Sequence, residues 1–307
     1  MEKINVAIHS FGNIGRYALE AVLASPDCRC VGVIRRPESV GNDPHSLRGV
    51  KDYPSLEALL AAEEKPQVIL VASPSRKVPT DAAYYLEKGF HTVDSFDIHP
   101  EISEVVGKLH KSCLKGQAVS ITAAGWDPGT DSVFRAYFEA MAPVGATFTN
   151  FGRGRSMGHS AAAREHKGVA DATSITIPIG GGRHSRLVYV LLEQGVEFEA
   201  VRKAISQDPY FINDPLDVRQ VRSQAELDAV CDASHGVAME RVGASGLTSN
   251  QHLKFDMRIN NPALTSQVML ACARACLKMP VGCHTLIDVP PVYLLPGERM
   301  DHIARLV

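Results

Sequence analysis

The stretch VAIHSFGNIGR, residues 6–16, constrains this chain more than any other. A short apolar run ends in polar residues, two glycines follow three apart, and a helical pattern begins at once. A buried strand that turns directly into a helix has this form. The full fingerprint of a dinucleotide-binding loop is G-x-G-x-x-G. Here Ser10 stands at the first position, with Gly12 and Gly15 at the second and third. Gly12 would let the backbone approach a pyrophosphate, and Gly15 would let helix and strand pack closely. Asn13 and Ile14 then lie at a helix N-terminus, whose free N–H groups attract phosphate. A serine suits the tight turn if its φ stays negative. Two glycines alone are a weak indication, because an ordinary strand-to-helix turn can hold them too.

The next hundred residues repeat the same grammar. GRYALEAVLAS is helical, with Tyr17, Ala18, Ala21, Val22 and Leu23 as its apolar face. CVGVI, QVILVAS, HTVDS and AVSITAA read as short strands. SLEALLAA and VPTDAAYYLEKG read as helices, the second ended by Gly89. Strands separated by helices imply right-handed crossovers and a doubly wound parallel sheet of the Rossmann type. After about residue 145 the pattern changes to strand-like segments with period-two alternation: ATFTNFG, ATSITIPI, SRLVYVLLE, LDVRQVRS, HGVAMERVG and HLKFDMRIN. GGGR at 180–183 offers a turn, and FEAVRKAIS is a helix. This predicts a second, α+β domain with a mostly antiparallel sheet. A long apolar helix then starts at Pro262 and returns to the first domain. The expected division is 1–125 with 262–307, and 126–261.

Composition narrows the function classes. The 307 residues are 45% hydrophobic and 21% charged, with a net charge of −2. Nothing points to nucleic acid or an anionic membrane surface. No apolar run reaches the roughly 20 residues of a membrane helix, and MEKINVAI lacks the form of a secretory signal, so a cytoplasmic protein is expected. Seven cysteines form no C-x-x-C pair, and Cys272 and Cys276 lie four apart on one helix face. Free thiols are expected, and no metal site.

In parallel α/β sheets ligands bind beyond the carboxyl ends of the strands. The second strand ends in Arg35-Arg36, which would attract a 2′-phosphate and so favour NADP, although nearby Glu38 leaves NAD possible. Ser73, Pro74, Ser75 and Arg76 follow the next strand and would lie against the cofactor. VDSFDIH brings Asp94, Phe96, Asp97 and His99; AAGWDPG brings Ala124, Gly125, Trp126, Asp127 and Pro128. Asp97 and Asp127 thus emerge at the edge expected for the nicotinamide. Carboxylates there could bind a substrate ammonium or take its proton. The structural alternative reads Asp94 and Asp131 as caps and the other two as turn formers, and it suits Asp94 and Asp131 better. The later chain adds Phe151, Met157, Gly158 and His159 in a glycine-rich loop, then Arg183, His184, Arg186, His235, Asn260 and Asn261. An arginine there could hold a carboxylate bidentately. Singly, each of these is as readily a structural polar group.

Together FGNIGR, VIRRP, HTVDSFDIH, AGWDPGTDS, TNFGRGRSMGHS, DPYF, HGVAMER, MRINNPALTSQVM and PPVYLLPGER resemble the meso-diaminopimelate D-dehydrogenase family over essentially the whole chain. The resemblance implies a homodimer with an NADP-binding domain and a central domain for substrate and dimerisation. It implies reversible oxidative deamination of the D-centre of meso-2,6-diaminopimelate. The products are L-2-amino-6-oxopimelate, ammonia and NADPH; the reverse reaction serves lysine and cell-wall precursor synthesis. The D-centre ammonium site falls on Asp97 and Asp127 beside Trp126. Met157 and Gly158 fall near the D-centre carboxylate, Phe151 lines the pocket, and Thr176, Arg186, His235 and Asn261 anchor the distal L-end. Two departures stand out: the family pattern has glycine where Ser10 stands, and small or apolar residues where Arg153 and Arg155 stand. The arginines leave open an alternative, an NADP-dependent dehydrogenase of different or broader D-amino acid range.

Overall fold

A computed structural model describes residues 3–152, 154–180, 183–230 and 234–307. Arg153, Cys231 and the middle of the GGGR turn lie outside the described residues, as do the side chains of Arg155 and Met157. The chain runs through β1 (Ile4–His9), α1 (Asn13–Ala24), β2 (Cys28–Ile34), β3 (Asp52–Tyr53), α2 (Leu56–Ala62), β4 (Val68–Val71), α3 (Val78–Glu87), β5 (His91–Asp94), α4 (Ile102–Gly116), β6 (Val119–Ile121) and α5 (Thr130–Met141). It continues with β7 (Val144–Phe151), β8 (Gly154–Ser156), α6 (Met157–Arg164), β9 (Val169–Gly180), β10 (Arg183–Leu192), α7 (Phe198–Ser206), β11 (Leu216–Val221), α8 (Gln224–Val230), β12 (Ser234–Ser245) and β13 (Thr248–Asn260). It closes with α9 (Asn261–Cys276), β14 (Gly282–His284) and α10 (Arg299–Leu306). Two compact units result: Met1–Ala136 with Pro262–Val307, and Tyr137–Asn261. Trp126 and Asp127 therefore fall in the first unit.

The first unit is built on a parallel sheet of order β14-β6-β5-β4-β1-β2-β3. Its strands are apolar on both faces because helices cover both. In β1, Val6 and Ile8 enter a core with α1 and α9, while Ala7 enters the opposite core with α2, α3 and α4. The order reverses between β1 and β4, which opens a crevice at their carboxyl ends. Along α1 the buried stripe is Gly15, Ala18, Leu19 and Val22, the i, i+3, i+4, i+7 spacing of one helix face. Burying a side chain such as Leu19 is worth about 1.5–3 kcal/mol. Leu23, expected on this face, is 47% exposed; one further step of about 100° per residue carries it off the stripe.

The long C-terminal helix α9 packs into the first unit's core through Met269, Leu270, Cys272, Ala273 and Cys276. Arg274 fixes its end. Its Nε and Nη2 donate to the two Asp27 oxygens at 2.8 and 2.9 Å, and Nη2 donates to Ser25 Oγ at 2.6 Å. This fork holds the Asp27 carboxyl far below the usual carboxylate range, against the opposing effect of burial.

The second unit holds two sheets where the alternation predicts one. β11-β10-β9-β8 has a parallel β10–β11 pair beside antiparallel ones, and β13-β12-β7 is antiparallel throughout. α6 and α7 contribute Ala162, Ala163, Val201 and Ile205 to a core with Val188, Val190 and Phe211. Period-two alternation marks each strand but not which strands share hydrogen bonds, so it cannot count sheets.

The turn from β1 to α1 departs from the expectation for Ser10. Its φ is +72°, in the left-handed region, not negative. Close packing imposes this. A Cβ on Gly15 would lie 2.3 Å from the Ser10 carbonyl oxygen, so helix and strand meet with no room for a side chain. The left-handed turn costs an L-residue about 1–2 kcal/mol, and glycine recovers that at an unfolded-chain entropy cost of about 0.4–1 kcal/mol. Ser10→Gly is therefore expected to raise the Tm, and a thermal melt with a lower Tm would show that the hydroxyl makes a stronger contact.

Candidate active site

The crevice at the reversal point holds a cavity of about 590 Å³ lined by His9, Ser10, Phe11 and Gly12 after β1, Ile34, Arg35, Arg36 and Ser39 after β2, and Ser73, Pro74, Lys77 and Asp81 after β4. Gly12 precedes α1 with no side-chain cap and no acidic residue in the first turn. A Cβ there would meet nothing within 4 Å, so its backbone faces open space. Asn13 and Ile14 begin the helix. This is the local form of a phosphate cradle: free N–H groups, a positive helix end and no side chain in the way.

The two arginines divide their roles. Arg35 is only 11% exposed, and its Nη1 donates to Asp52 Oδ2 at 2.9 Å and to the Asn42 carbonyl at 2.8 Å. Its guanidinium also lies 5.4 Å from the centre of the Phe11 ring. Arg36 is 80% exposed, with Glu38 at 3.5 Å. Arg35 braces the loop that presents Arg36. Lys77, which the sequence reading missed in favour of the exposed Arg76, is the basic residue of this turn that lines the cavity. His9 and Asp81 were missed as well. His9 Nε2 lies 3.3 Å from Asp81 Oδ2, its Nδ1 is 2.7 Å from the Tyr85 hydroxyl, and Ser73 donates to the same Asp81 oxygen at 2.6 Å. Burial pushes Asp81 up, but these hydrogen bonds outweigh it and leave the carboxyl below its ordinary value. A histidine closing an apolar strand was the legible sign.

The carboxyl ends of β5 and β6 bring the acids together. Asp97 is exposed and accepts from Ser75 Oγ. Asp127 follows Trp126 on the β6–α5 loop, next to a cis Asp127–Pro128 bond. Gly129 (φ +145°) closes this loop; a Cβ there would lie 1.9 Å from the Gly125 oxygen. The loop is further held by Asp131 N donating to the Trp126 carbonyl at 3.0 Å. Burial pushes the Asp127 carboxyl well above the usual range, and the neighbouring negative charges of Asp131 and Asp97 add to it against Arg135. His99 Nε2 is 3.9 Å from Asp127 Oδ1. Asp131 is no N-cap: its carboxylate sits in the first turn of α5 and pairs with Arg135 at 3.0 Å. Phe96, Ala124, Gly125, Trp126 and Pro128 are the buried residues of these loops.

Asp94 is no cap either. It is fully buried at the end of β5. Its Oδ1 accepts from Phe96 N at 3.0 Å, Thr122 Oγ1 at 2.8 Å and Ala123 N at 3.3 Å, while Oδ2 has no hydrogen-bond partner among the described residues. Burial raises its carboxyl to about 6.

The second unit carries a separate polar cluster. Arg186 on β10 pairs in register with Thr176 on β9. Its Nη1 donates to Thr176 Oγ1 at 2.5 Å and its Nε to Asp214 Oδ2 at 2.6 Å. Around it, His184 Nε2 accepts from Phe151 N at 2.9 Å, and the Phe151 ring lies 5.1 Å from His184 and 6.2 Å from His235. His159 stacks edge-on to Tyr210 and Phe211. Burial and the Arg186 charge lower His159 to about 4, and lower His184 and His235 as well. The histidines are therefore neutral hydrogen-bonding groups at neutral pH. Phe151, Thr176, Arg186 and His235 thus share one neighbourhood, joined by Asp214, which the sequence reading did not single out. Gly158 is exposed near the start of α6, and Asn261 opens α9. The segment read as a glycine-rich loop is instead β8 running into α6, since Gly154–Ser156 pair with β9.

The chain is similar to known proteins over its whole length. The family model for the C-terminal domain of diaminopimelic acid dehydrogenase matches residues 125–261. The meso-diaminopimelate D-dehydrogenase of Bacteroides fragilis is 46% identical over 310 residues, covering the whole of both chains. That of Acetivibrio thermocellus is 30% identical, covering 98% of this chain and 97% of its own. The solved structure of Corynebacterium glutamicum DAP dehydrogenase in complex with DAP superposes with a TM-score of 0.89 at 25% identity, over the whole of both chains. The chain belongs to the meso-diaminopimelate D-dehydrogenase family of amino acid dehydrogenases.

Proposed function

We propose that this protein catalyses the reversible NADP-dependent oxidative deamination of the D-centre of meso-2,6-diaminopimelate, giving L-2-amino-6-oxopimelate, ammonia and NADPH. The observation that carries the reading is the acid cluster of Asp127, Asp97 and Asp131 on the β5 and β6 loops, in a chain whose relative was solved with DAP bound. The bound nicotinamide supplies the hydride acceptor. Gly12, Asn13, Ile14 and Gly15 would cradle the dinucleotide's pyrophosphate, Arg36 and Lys77 would take the 2′-phosphate, and Ser73 to Arg76 would flank the cofactor. Arg35 acts by bracing the Arg36 loop. The protein works as a cytoplasmic homodimer in lysine biosynthesis.

The residues of the chain then have these tasks. Asp97 and Asp127 hold the D-centre ammonium, and Asp127 receives a proton as the amine becomes an imine. Water adds to that imine, ammonia leaves, and the ketone forms. A carboxyl with a raised affinity for protons is suited to this, because proton transfer is most efficient when donor and acceptor are close in strength. Met157 and Gly158 lie near the D-centre carboxylate. In the second unit Arg186, Thr176, His235 and Asn261 receive the distal amino-acid end, with Asp214 holding Arg186 in its orientation. Neutral histidines there leave Arg186 as the positive charge of the cluster, so an incoming carboxylate has one well-defined partner.

Asp127→Asn is expected to lower kcat by about a hundredfold or more while the Kd for NADP stays nearly unchanged. Deamination needs the ionised Asp127. The wild-type acid limb of kcat/KM should therefore lie above the ordinary carboxylate range, with activity rising as pH rises through it, and should vanish in Asp127→Asn. A variant with wild-type turnover sinks the assignment. Cofactor choice has its own test. Arg36→Ala should weaken NADP by about 1.5–3 kcal/mol, the worth of a charge-assisted hydrogen bond, and leave NAD almost untouched. Steady-state reduction of both cofactors with meso-diaminopimelate reads this directly. Equal losses for the two would remove Arg36 from the phosphate site.

A further inference from the structure

We infer that Asp94 is the positioning residue that sets the two acid-bearing loops against each other. The inference rests on Asp97 and Asp127 acting as proposed above, but its physical basis does not. Only Ser95 and Phe96 separate Asp94 from Asp97, and this segment is held by Phe96 N donating to Asp94 Oδ1. The same oxygen accepts from Thr122 Oγ1 and Ala123 N, at the end of β6. The Asp94 carbonyl accepts from Ala124 N at 2.8 Å. Ala123 has a φ of +54°, a conformation that an alanine holds only where its surroundings impose it. Two residues later the chain enters Gly125, Trp126 and Asp127. One carboxylate oxygen thus ties the start of both loops at a single point, with no solvent to loosen it.

The cost of this arrangement shows that it is not an ordinary structural contact. A fully buried carboxylate with one oxygen unpartnered is an expensive way to join two strand ends. The thiols of Cys272 and Cys276 on α9 and Cys283 on β14 are near enough to feel its charge, and burial raises all three so that they stay protonated. Among the described residues no cation acts on its carboxyl. A neutral acceptor would hold the same three donors, so the brace works by geometry and not by charge. Small errors here are amplified: a displacement of about 1 Å at a reacting group can cost about a hundredfold in rate.

The chain carries its own probe. Trp126 is the only tryptophan and is 5% exposed, on the loop that Asp94 holds. Its emission reports the loop whether or not the enzyme turns over. Three variants of the full chain suffice: Asp94→Asn, Asp94→Ala and Thr122→Val. Asp94→Ala is expected to shift Trp126 emission to the red, raise its quenching by acrylamide and lower kcat by about a hundredfold, with the Kd for NADP nearly unchanged. It should also move the acid limb of kcat/KM to lower pH, because Asp127 becomes more exposed and further from Asp97. Thr122→Val, which removes one donor, should show the same changes in smaller degree, about threefold in kcat. Asp94→Asn, which keeps the acceptor, should preserve the emission and most of the turnover. If Asp94→Ala does not fold, the other two decide. Unchanged emission and limb in Thr122→Val would overturn the inference, as would an Asp94→Asn variant as impaired as Asp94→Ala. Inactivity of the wild type on meso-diaminopimelate would refute the proposed reaction, while the emission of the variants would still test Asp94.

Discussion

The close approach of α1 to the end of β1 is the constraint on which the first unit depends. The Ser10 oxygen and the Gly15 α-carbon meet so tightly that no side chain fits between them. That contact turns Ser10 left-handed, aims the N–H groups of α1 into the crevice and leaves Gly12 bare beside it. The parallel sheet then delivers every other strand end to the same edge. Arg36 and Lys77 line the crevice beside the β1–α1 turn, and Asp97 and Asp127 follow the ends of β5 and β6 at the same edge, although the chain separates them by dozens of residues.

At that edge the protein accepts unfavourable electrostatics. Asp127 is partly buried beside two other carboxylates, and Asp94 is fully buried. The linkage is explicit for Asp94. Its folded value is raised from 3.8 to about 6, so the folded state is favoured below the unfolded value. That advantage disappears as pH rises through the folded one. Near neutrality Asp94 and Asp127 both cost stability. Structural pairs elsewhere run the other way: Arg274 lowers Asp27, so that pair stabilises above the ordinary carboxylate range and is lost only in acid. Groups that weaken the fold and groups that hold it together are thus found at different places, as expected where a site is built for chemistry.

The second unit solves a different problem. Arg186 needs a fixed orientation without losing its charge to its surroundings. Asp214 and Thr176 grip it from two sides, and the adjacent histidines stay neutral because burial and Arg186 itself disfavour their protonated forms. The first unit treats Arg35 in the same way, tying it to Asp52 so that Arg36 can stand free. In both cases one charged residue is held by a buried or half-buried partner and its neighbourhood does the presenting.

Much of this was legible in the sequence because it follows from local rules. Strand-helix alternation implied the parallel sheet, glycine spacing marked the β1–α1 turn, and the residues just after each strand included Arg36, Asp97 and Asp127. The later strands were visible in their alternation. What the residues alone left open depended on partners distant in the chain. Pairing decided that the second unit has two sheets, and that the GRGRS segment is a strand. Packing decided the φ of Ser10 and the exposure of Leu23. Contacts across 17, 28 and 28 residues decided that Arg35 is a brace, that Asp214 grips Arg186, and that Asp94 holds Thr122. Propensity and periodicity act over a few neighbouring residues. Burial, charge pairing and hydrogen-bond satisfaction act through space, and only the folded chain fixes them.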